Sequence, residues 1–231
     1  NDPYANRDLR LYASIFLPPL GSYSGTKYND IIYDCFKGAN TADSYNKFTL
    51  FNGYCPKKGC DPSIINNLGS TPTYTPIMRY AEVLLSYLEA LNEFQPSAID
   101  QDILDLTIND IRNRVKLTDI KKADVPTQEL VREAVRKERR VELAFEGLRY
   151  YDVLRWGIAE KELNHTFTGV KLSDDPNARN YRGSGTAASP VDEDMYYQFE
   201  KRTWSPHNRY FPIPQNDLNV NKNLKQNTGY N

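Results

Sequence analysis

Ile77, Tyr80, Ala81, Leu84, Leu85, Leu88 and Leu91 recur at three- and four-residue spacing, the period that gathers side chains on one face of a helix. Thr75 offers a cap and Pro76 a preset first-turn φ, so the pattern predicts a helix from Pro76 that stops before Pro96. A second helix is predicted from about Ile99, with Leu104, Ile108, Ile111 and Val115 on one stripe. The short QPS connection folds it back antiparallel on the first. A third helix begins near Pro126 and Thr127 and runs to Phe145, and a fourth covers about 148–163. They are broken apart near Gly147, where helix propensity drops by about 1 kcal/mol.

Outside this helical zone, residues 76–163, the pattern changes. Residues 1–75 are rich in Tyr, Asn, Gly and Pro and contain short β-like runs such as LYASIF and DIIYDCF, which read as loops with short strands. Residues 164–231 contain a turn-rich NARNYRGSGTAASP, one or two strand-like pieces and a Pro- and Asn-rich tail expected to be extended. No repeat of about 34 residues is legible, yet two helix hairpins with small residues at Ala81, Ala90, Ala134 and Ala144 match degenerate helix-turn-helix units. The predicted class is mainly α: helical hairpins with long loops and a few short strands.

Composition narrows the function. A chain of 231 residues, 39% hydrophobic and 26% charged, buries one sizeable core or at most two small ones. A formal net charge of −1 supplies no footprint for nucleic acid, and no apolar run approaches the roughly 18 residues of a spanning helix. Seventeen tyrosines with 14 prolines and 12 glycines point to ordered loops carrying amphipathic rings, which suit a binding surface. The chain opens on NDPYANRDLR, with no initiator methionine or charged-then-apolar leader, which reads as a fragment whose targeting signal has been removed or lies upstream.

The charges within RKERRVELAFEGLRYYDVLRWG form two ladders at four-residue spacing: Arg132, Arg136 and Arg140 on one line, Glu138, Glu142 and Glu146 on nearly the opposite one. Like charges at this spacing repel, so the acidic line makes sense where arginines from elsewhere meet it. Arg79, Arg112, Arg114, Arg149 and Arg155 are the candidates. Bidentate guanidinium–carboxylate pairs lock helix register, and with no His or Cys in the stretch a structural ion-pair network is favoured over paired catalytic carboxylates.

These residues also carry a resemblance. FEGLRYYDVLRWG preceded by ERRVEL, the opening over residues 1–15, the RYAEVLLSYLEA helix over 79–90, NDIRNR over 109–114 and the closing FPIP to QNTGY over 211–230 fall in the order seen in the SusD/RagB family of surface nutrient-binding lipoproteins. The chain resembles the C-terminal half of that family. It departs at Leu9, Ser14 and Leu88, and at Val115 and Lys116, where Ala-Gly is usual. Without that glycine the second helix is expected to lack its left-handed stop.

The resemblance implies a tetratricopeptide-like scaffold and a protein that captures and does not convert. It further implies an outer-surface lipoprotein of the outer membrane, acting with a SusC-like TonB-dependent transporter. The lipid anchor and part of the ligand site would lie in a missing N-terminal half. In glycan-binding relatives, rings on loops stack on sugars, and the physics is general: a pyranose presents C–H faces to a ring and hydroxyls to polar groups at the rim. Tyr23, Tyr28 and Tyr33, set among Gly, Ser, Asn and Asp, are the first candidates; Tyr45 and Tyr54, flanking an expected hairpin, are the next. Each has a core reading beside it, most strongly Tyr33. Trp156 reads as packing, and Trp204 as packing of the tail or a ligand contact.

Cys55 and Cys60, separated by PKKG, are candidates for a loop disulfide, with Cys35 left over and buried. His165 and His207 show no ligand spacing, and Asp192, Glu193 and Asp194 read as a solvated turn, so no metal and no cofactor is expected. The tail from Phe211 reads as a clasp whose Asn and Gln side chains bond the backbone of helices it crosses. Peptide capture, as in RagB-type members, and a carbohydrase using an acidic pair such as Asp30 and Asp34 stand as alternatives to glycan capture.

Overall fold

The structure is a computed structural model and describes residues 2–20, 22–28, 31–33, 52–59, 76–172 and 190–230. Near the start, the Asp8 carboxylate accepts from the backbone N–H of Arg10 (2.9 Å) and caps a short helix, α1 (Leu9–Ser14), which runs into β1 (Ile15–Phe16). The β-like LYASIF run is therefore helical over its first four residues, because a capped turn satisfies the donors locally. β2 (Lys27–Tyr28) and β3 (Ile31–Ile32) pair antiparallel, and β4 (Cys55–Pro56) lies antiparallel to β1.

α2 (Tyr80–Phe94) buries Leu84, Leu85, Leu88 and Asn92. It starts later than its spacing predicts: Arg79, extended at φ −136°, precedes it, Ile77 is 99% exposed and Tyr80 faces outward. Thr75 lies outside the described residues. The Arg79 guanidinium is held by Glu142 and Glu146, which fixes the backbone there in its extended form and keeps the preceding residues off the core. Gln95 and Pro96 end the helix.

The return leg is α3 (Gln101–Leu104), a π-helical turn (Asp105–Asn109) and α4 (Asp110–Arg114) in one run. Leu104, Ile108 and Ile111 are buried as spaced, and the wide turn also brings Thr107 and Asn109 inside. Asn109 is satisfied there, donating to Asp105 (2.7 Å) and to the Ile120 carbonyl (3.0 Å) and accepting from the Ile120 N–H (2.7 Å). The run ends on Lys116 at φ 59°. The Lys116 N–H donates to the Asn113 carbonyl (3.1 Å) and the Leu117 N–H to that of Arg112 (3.0 Å), which is a Schellman closure. The left-handed stop, expected to be missing for want of glycine, is formed by a lysine.

α5 (Gln128–Glu142), capped by Thr127, packs on α2 through Val131 and Val135. It ends three residues short of the predicted Phe145. Arg79 donates to the Glu142 carbonyl (2.6 Å), and Lys58 Nζ donates to those of Glu142 (2.7 Å) and Ala144 (3.2 Å). Backbone N–H groups take the Arg139 and Val141 carbonyls and cations take that of Glu142, and Phe145 (φ 65°) and Gly147 (φ 78°) reverse the chain. The helix expected over about 148–163 is two, α6 (Arg149–Arg155) and α7 (Ala159–Leu163), parted at Gly157 with φ 66°.

β5 (Thr166–Lys171) and β6 (Tyr196–Lys201) pair antiparallel. The tail forms a 3-10 turn (Pro206–Arg209) and a short helix, α8 (Gln215–Val220), where an extended course was expected. Pro214, at φ −54°, suits the residue before that helix. Gln226 and Asn227 bond Ile213 and Phe211 of the tail itself and not a crossed helix.

The architecture is mainly helical, with two-stranded ladders as its sheets among the described residues. One core lies between α2, the α3–α4 run and α5. A second gathers Phe16, Tyr33, Val170 and Leu172. The second demands glycine twice. The Val170 N–H donates to the Asn52 carbonyl (2.9 Å); a Cβ on Gly169 would overlap that carbonyl, and one on Gly53 (φ 78°) would lie 2.6 Å from Val170 Cγ1. No helix of the described residues is long and apolar enough to cross a membrane.

Candidate functional site

Glu138 and Glu142 lie on the buried face of α5, 3% and 2% exposed, one turn apart. Arg10, from α1, reaches both, at 2.5 Å to Glu138 Oε1 and 2.9 Å to Glu142 Oε2. Arg112 takes Glu138 Oε2 at 3.1 Å; Arg79 and Arg114 take Glu142 Oε1, each at 2.6 Å. Glu146, beyond the helix, meets Arg79 at 2.7 Å and Lys58 at 2.5 Å. Every oxygen of the two buried carboxylates is engaged, which is the condition for keeping such charges inside.

Burial would raise the Glu146 carboxyl, but hydrogen bonds from Arg79 and Lys58 outweigh it and hold the group below the usual carboxylate range. Asp8 follows the same balance, with Arg10 as its chief partner. For Arg10 and Arg79, burial would lower the guanidinium, and the carboxylates drive it further up. With a guanidinium on each oxygen of Glu138 and Glu142, the cluster is arranged to lock helix register and not to approach a substrate.

Arg149 and Arg155 were grouped with this acidic line; they pair elsewhere. Arg149 meets Glu162 at 2.6 Å; burial and the nearby Arg140 lower its guanidinium. Arg155 meets Glu89 at 2.5 Å and Asp152 at 2.9 Å. Both sit on α6, past the reversal at Gly147, which turns them away from the inner face of α5. Arg139, buried at 4% exposure, ties α5 to α6 through Asp152 at 3.0 Å and to α2 through Ser86 Oγ at 3.0 Å. Trp156 packs as expected: its Nε1 donates to Glu89 (2.6 Å), and Arg136 and Arg155 lie over its ring at 4.8 and 4.9 Å. Spacing within one helix carries no mark of Arg10 and Lys58, cations distant in sequence, and none of Arg139, which lies on α5 but turns to Asp152 and Ser86 of neighbouring helices.

On the other side of α1 is a cluster of rings. Tyr4, buried, lies edge-on to Tyr23 with centroids 5.4 Å apart and edge-on to Tyr54 at 6.4 Å; Tyr12 and Tyr23 are 6.2 Å apart. Their hydroxyls are engaged within the cluster: Tyr12 donates to the Tyr4 carbonyl, Tyr4 donates to the Tyr54 oxygen (3.3 Å), and Tyr23 lies 3.2 Å from Thr26 Oγ1. Tyr12, Tyr23 and Tyr54 are partly buried, Tyr54 also packing against the second core, with ring positions fixed by those bonds. Exposed Ser22 donates to Asp2 beside them (2.8 Å).

Of the tyrosines singled out from sequence, Tyr23 and Tyr54 are thus brought together. Tyr33 is not with them: it is 2% exposed in the second core, and its hydroxyl donates to the Gly53 carbonyl (2.9 Å). Its ligand-facing reading is replaced by a packing one, because β3 turns it inward. The Tyr28 side chain, Tyr45, Asp30 and Asp34 lie outside the described residues, as do Cys35 and Cys60, so the Cys55–Cys60 pairing falls there too. Tyr4 and Tyr12 were missed; their spacing in the opening motif resembles helix packing.

Among the described residues no group of three His, Cys, Asp or Glu side chains could hold a metal. Asp192 accepts from the backbone N–H groups of Asp194 (3.1 Å) and Tyr196 (2.8 Å), which makes it a turn residue. His165 stacks on Phe167 at 4.2 Å, and His207 meets Tyr230 edge-on at 5.0 Å.

The SusD family model matches residues 1–230. The chain is 33% identical to a SusD-like carbohydrate binding protein from Bacteroides fragilis, superposing with a TM-score of 0.79 over 96% of this chain and 42% of that one. A second SusD-like protein from the same organism is 28% identical, with a TM-score of 0.69 over 98% of this chain and 40% of that one. SusD-like protein P2 of Formosa agariphila is 35% identical over 117 residues, 48% of this chain and 22% of its own length. The chain therefore spans less than half the length of these relatives. The motifs predict that the chain corresponds to the family's C-terminal half; the family model matches residues 1–230 without that restriction, and the narrower description gives way. The chain belongs to the SusD family.

Proposed function

We propose that this chain takes part in non-catalytic capture of a saccharide nutrient at the outer surface of the outer membrane. Residues 1–75 supply the recognition rings, and residues 76–163 supply the frame that holds them. The observation that carries this reading is the cluster of Tyr12, Tyr23 and Tyr54 around Tyr4. Its hydroxyls are engaged with the Tyr54 hydroxyl, the Tyr4 carbonyl and Thr26, so the partly buried rings are held in place before any ligand arrives. Fixed rings bind a sugar's C–H face with little ordering cost, which is the main saving available to a weakly binding ligand. The likeness to the SusD-like carbohydrate binding protein of B. fragilis supports the same class of ligand. Attachment by a lipid anchor and delivery to a SusC-like TonB-dependent transporter follow as part of the proposal from family membership.

Calorimetry against a panel of soluble polysaccharides and a peptide pool tests it. A glycan should bind, and Tyr12→Ala and Tyr23→Ala should each weaken it about tenfold, the effect of losing roughly 1.4 kcal/mol of ring contact. Binding of peptides alone would replace the saccharide reading by peptide capture, and cleavage of the bound chain would end the non-catalytic one.

A further inference from the structure

Tyr150 and Tyr151 of α6 and Phe211 of the tail form a run of adjoining rings on the surface. Tyr151 lies edge-on to Tyr150 with centroids 6.0 Å apart, and Phe211 lies 6.4 Å from the same ring with the two planes 40° apart. Tyr151 and Phe211 are 64% and 71% exposed and Tyr150 is 36% exposed, so these faces are open to a ligand, whereas the rings around Tyr4 are partly buried. Single exposed rings are ordinary on a protein surface, but adjoining ones kept out of the core mark a contact site. The backbone that presents Phe211 is held firmly. Asn227 Nδ2 donates to the Phe211 carbonyl (2.7 Å), and Gln226 accepts from the Ile213 N–H (2.8 Å) and donates to the Ile213 carbonyl (2.9 Å). Tyr150 is tied to the same segment, its hydroxyl donating to the Asn208 carbonyl (3.4 Å). The tail is thus fixed while the Phe211 ring stays in water, a cost that a ligand covering the ring would relieve.

The surroundings select the occupant. Tyr150 also lines a groove of about 380 Å³ whose wall includes Leu163 and the exposed Lys201 and Thr203, a size within the roughly 300–1,000 Å³ of small-molecule sites. The rings therefore adjoin an ammonium and a hydroxyl. A purely apolar partner would leave those groups without bonds, while a pyranose offers C–H faces to the rings and hydroxyls to the polar wall. The ring planes, 72° and 40° from that of Tyr150, cannot all lie against one flat face, so they suit a single chain whose successive sugars turn. We propose that Tyr150, Tyr151 and Phe211 form a second saccharide platform, with Lys201 and Thr203 meeting the hydroxyls of the sugar that enters the groove. The inference rests on the capture reading above and adds to it a place that shares no residue with the tyrosine cluster. A polysaccharide that engages both gains avidity that a single platform cannot supply.

The test uses the full chain, with calorimetry against amylopectin, arabinoxylan, polygalacturonate, alginate and a peptide pool. Tyr151→Ala and Phe211→Ala should each weaken the polysaccharide that binds about tenfold, the effect of losing one stacked ring. Both should leave the melting temperature unchanged, since neither ring belongs to a core. Phe211→Tyr keeps the ring and should bind like the parent. If Tyr23→Ala lowers affinity while Tyr151→Ala and Phe211→Ala bind like the parent, the second platform is overturned and the capture reading stands. If the two alanine variants lose affinity for peptides alone, the patch is a peptide surface and the saccharide platform is overturned. If none of the four polysaccharides binds the parent chain, both readings fall together.

Discussion

Arg10 and Glu138, 128 residues apart in the chain, meet with Arg10 Nη1 2.5 Å from Glu138 Oε1, both side chains under a tenth exposed. This contact fastens the opening segment, which carries Tyr4 and Tyr12, to the inner face of α5. The same guanidinium reaches Glu142 and Asp8, so one side chain links the ring cluster to the helical frame.

Arg10→Met should therefore lower stability by about 3–5 kcal/mol, the usual cost of stranding a buried carboxylate, read as a shift of the urea midpoint. Arg114→Ala is the contrast: its side chain is 58% exposed, and a pair screened to that degree is worth at most about 1 kcal/mol. Equal midpoints for the two variants would show that depth of burial does not rank these ion pairs.

Acid should destabilise the fold in a defined window. Asp8 and Glu146 have carboxyls held below their unfolded values, which are about 3.9 and 4.3. A depressed folded value contributes stability that is fully present above the unfolded value and is lost as pH falls through the folded one. Melting temperature should be insensitive to these two groups above about pH 5 and should fall below about pH 4. Glu146→Gln should start lower at pH 7 and show a shallower decline.

Gly53→Ala and Gly169→Ala should each cost about 2 kcal/mol or more, since the added methyl meets Val170 in one case and the Asn52 carbonyl in the other. Gly157→Ala isolates the backbone contribution, because its φ is 66° while nothing lies within 4 Å of the new Cβ; about 1 kcal/mol is expected. Chemical denaturation of the three variants checks the order.

Lys116→Gly should stabilise the chain by about 0.5–1 kcal/mol. The Schellman closure already forms there at φ 59°, and glycine adopts that conformation without the Cβ penalty, though it gives back part of the gain through a more flexible unfolded chain. A midpoint that falls would mean that the lysine side chain has a partner role outweighing the strain.

The apolar period of α2 and of the α3–α4 run was legible because Leu84, Leu85, Leu88, Leu104, Ile108 and Ile111 face one core at helical spacing. Helix ends were less so. α5 stops at Glu142, whose carbonyl is taken by Arg79 and Lys58, and neither residue is near α5 in sequence. The candidate site divides in the same way. Tyr23 and Tyr54 stood out by their setting among turn residues, whereas Tyr4 and Tyr12 became site residues only when α1 carried them onto Tyr23.

The sequence by itself determined the helical class, the positions of the apolar faces, the family and the need for cations opposite Glu138 and Glu142, because each follows from local period, short motifs or like-charge repulsion along one helix. The tertiary structure alone decided which cations answer, which tyrosines share a surface, and that Phe211 of the tail meets Tyr150. Those are relations between segments distant along the chain, and they depend on how two cores and a buried ion cluster close together, which no one-dimensional spacing encodes.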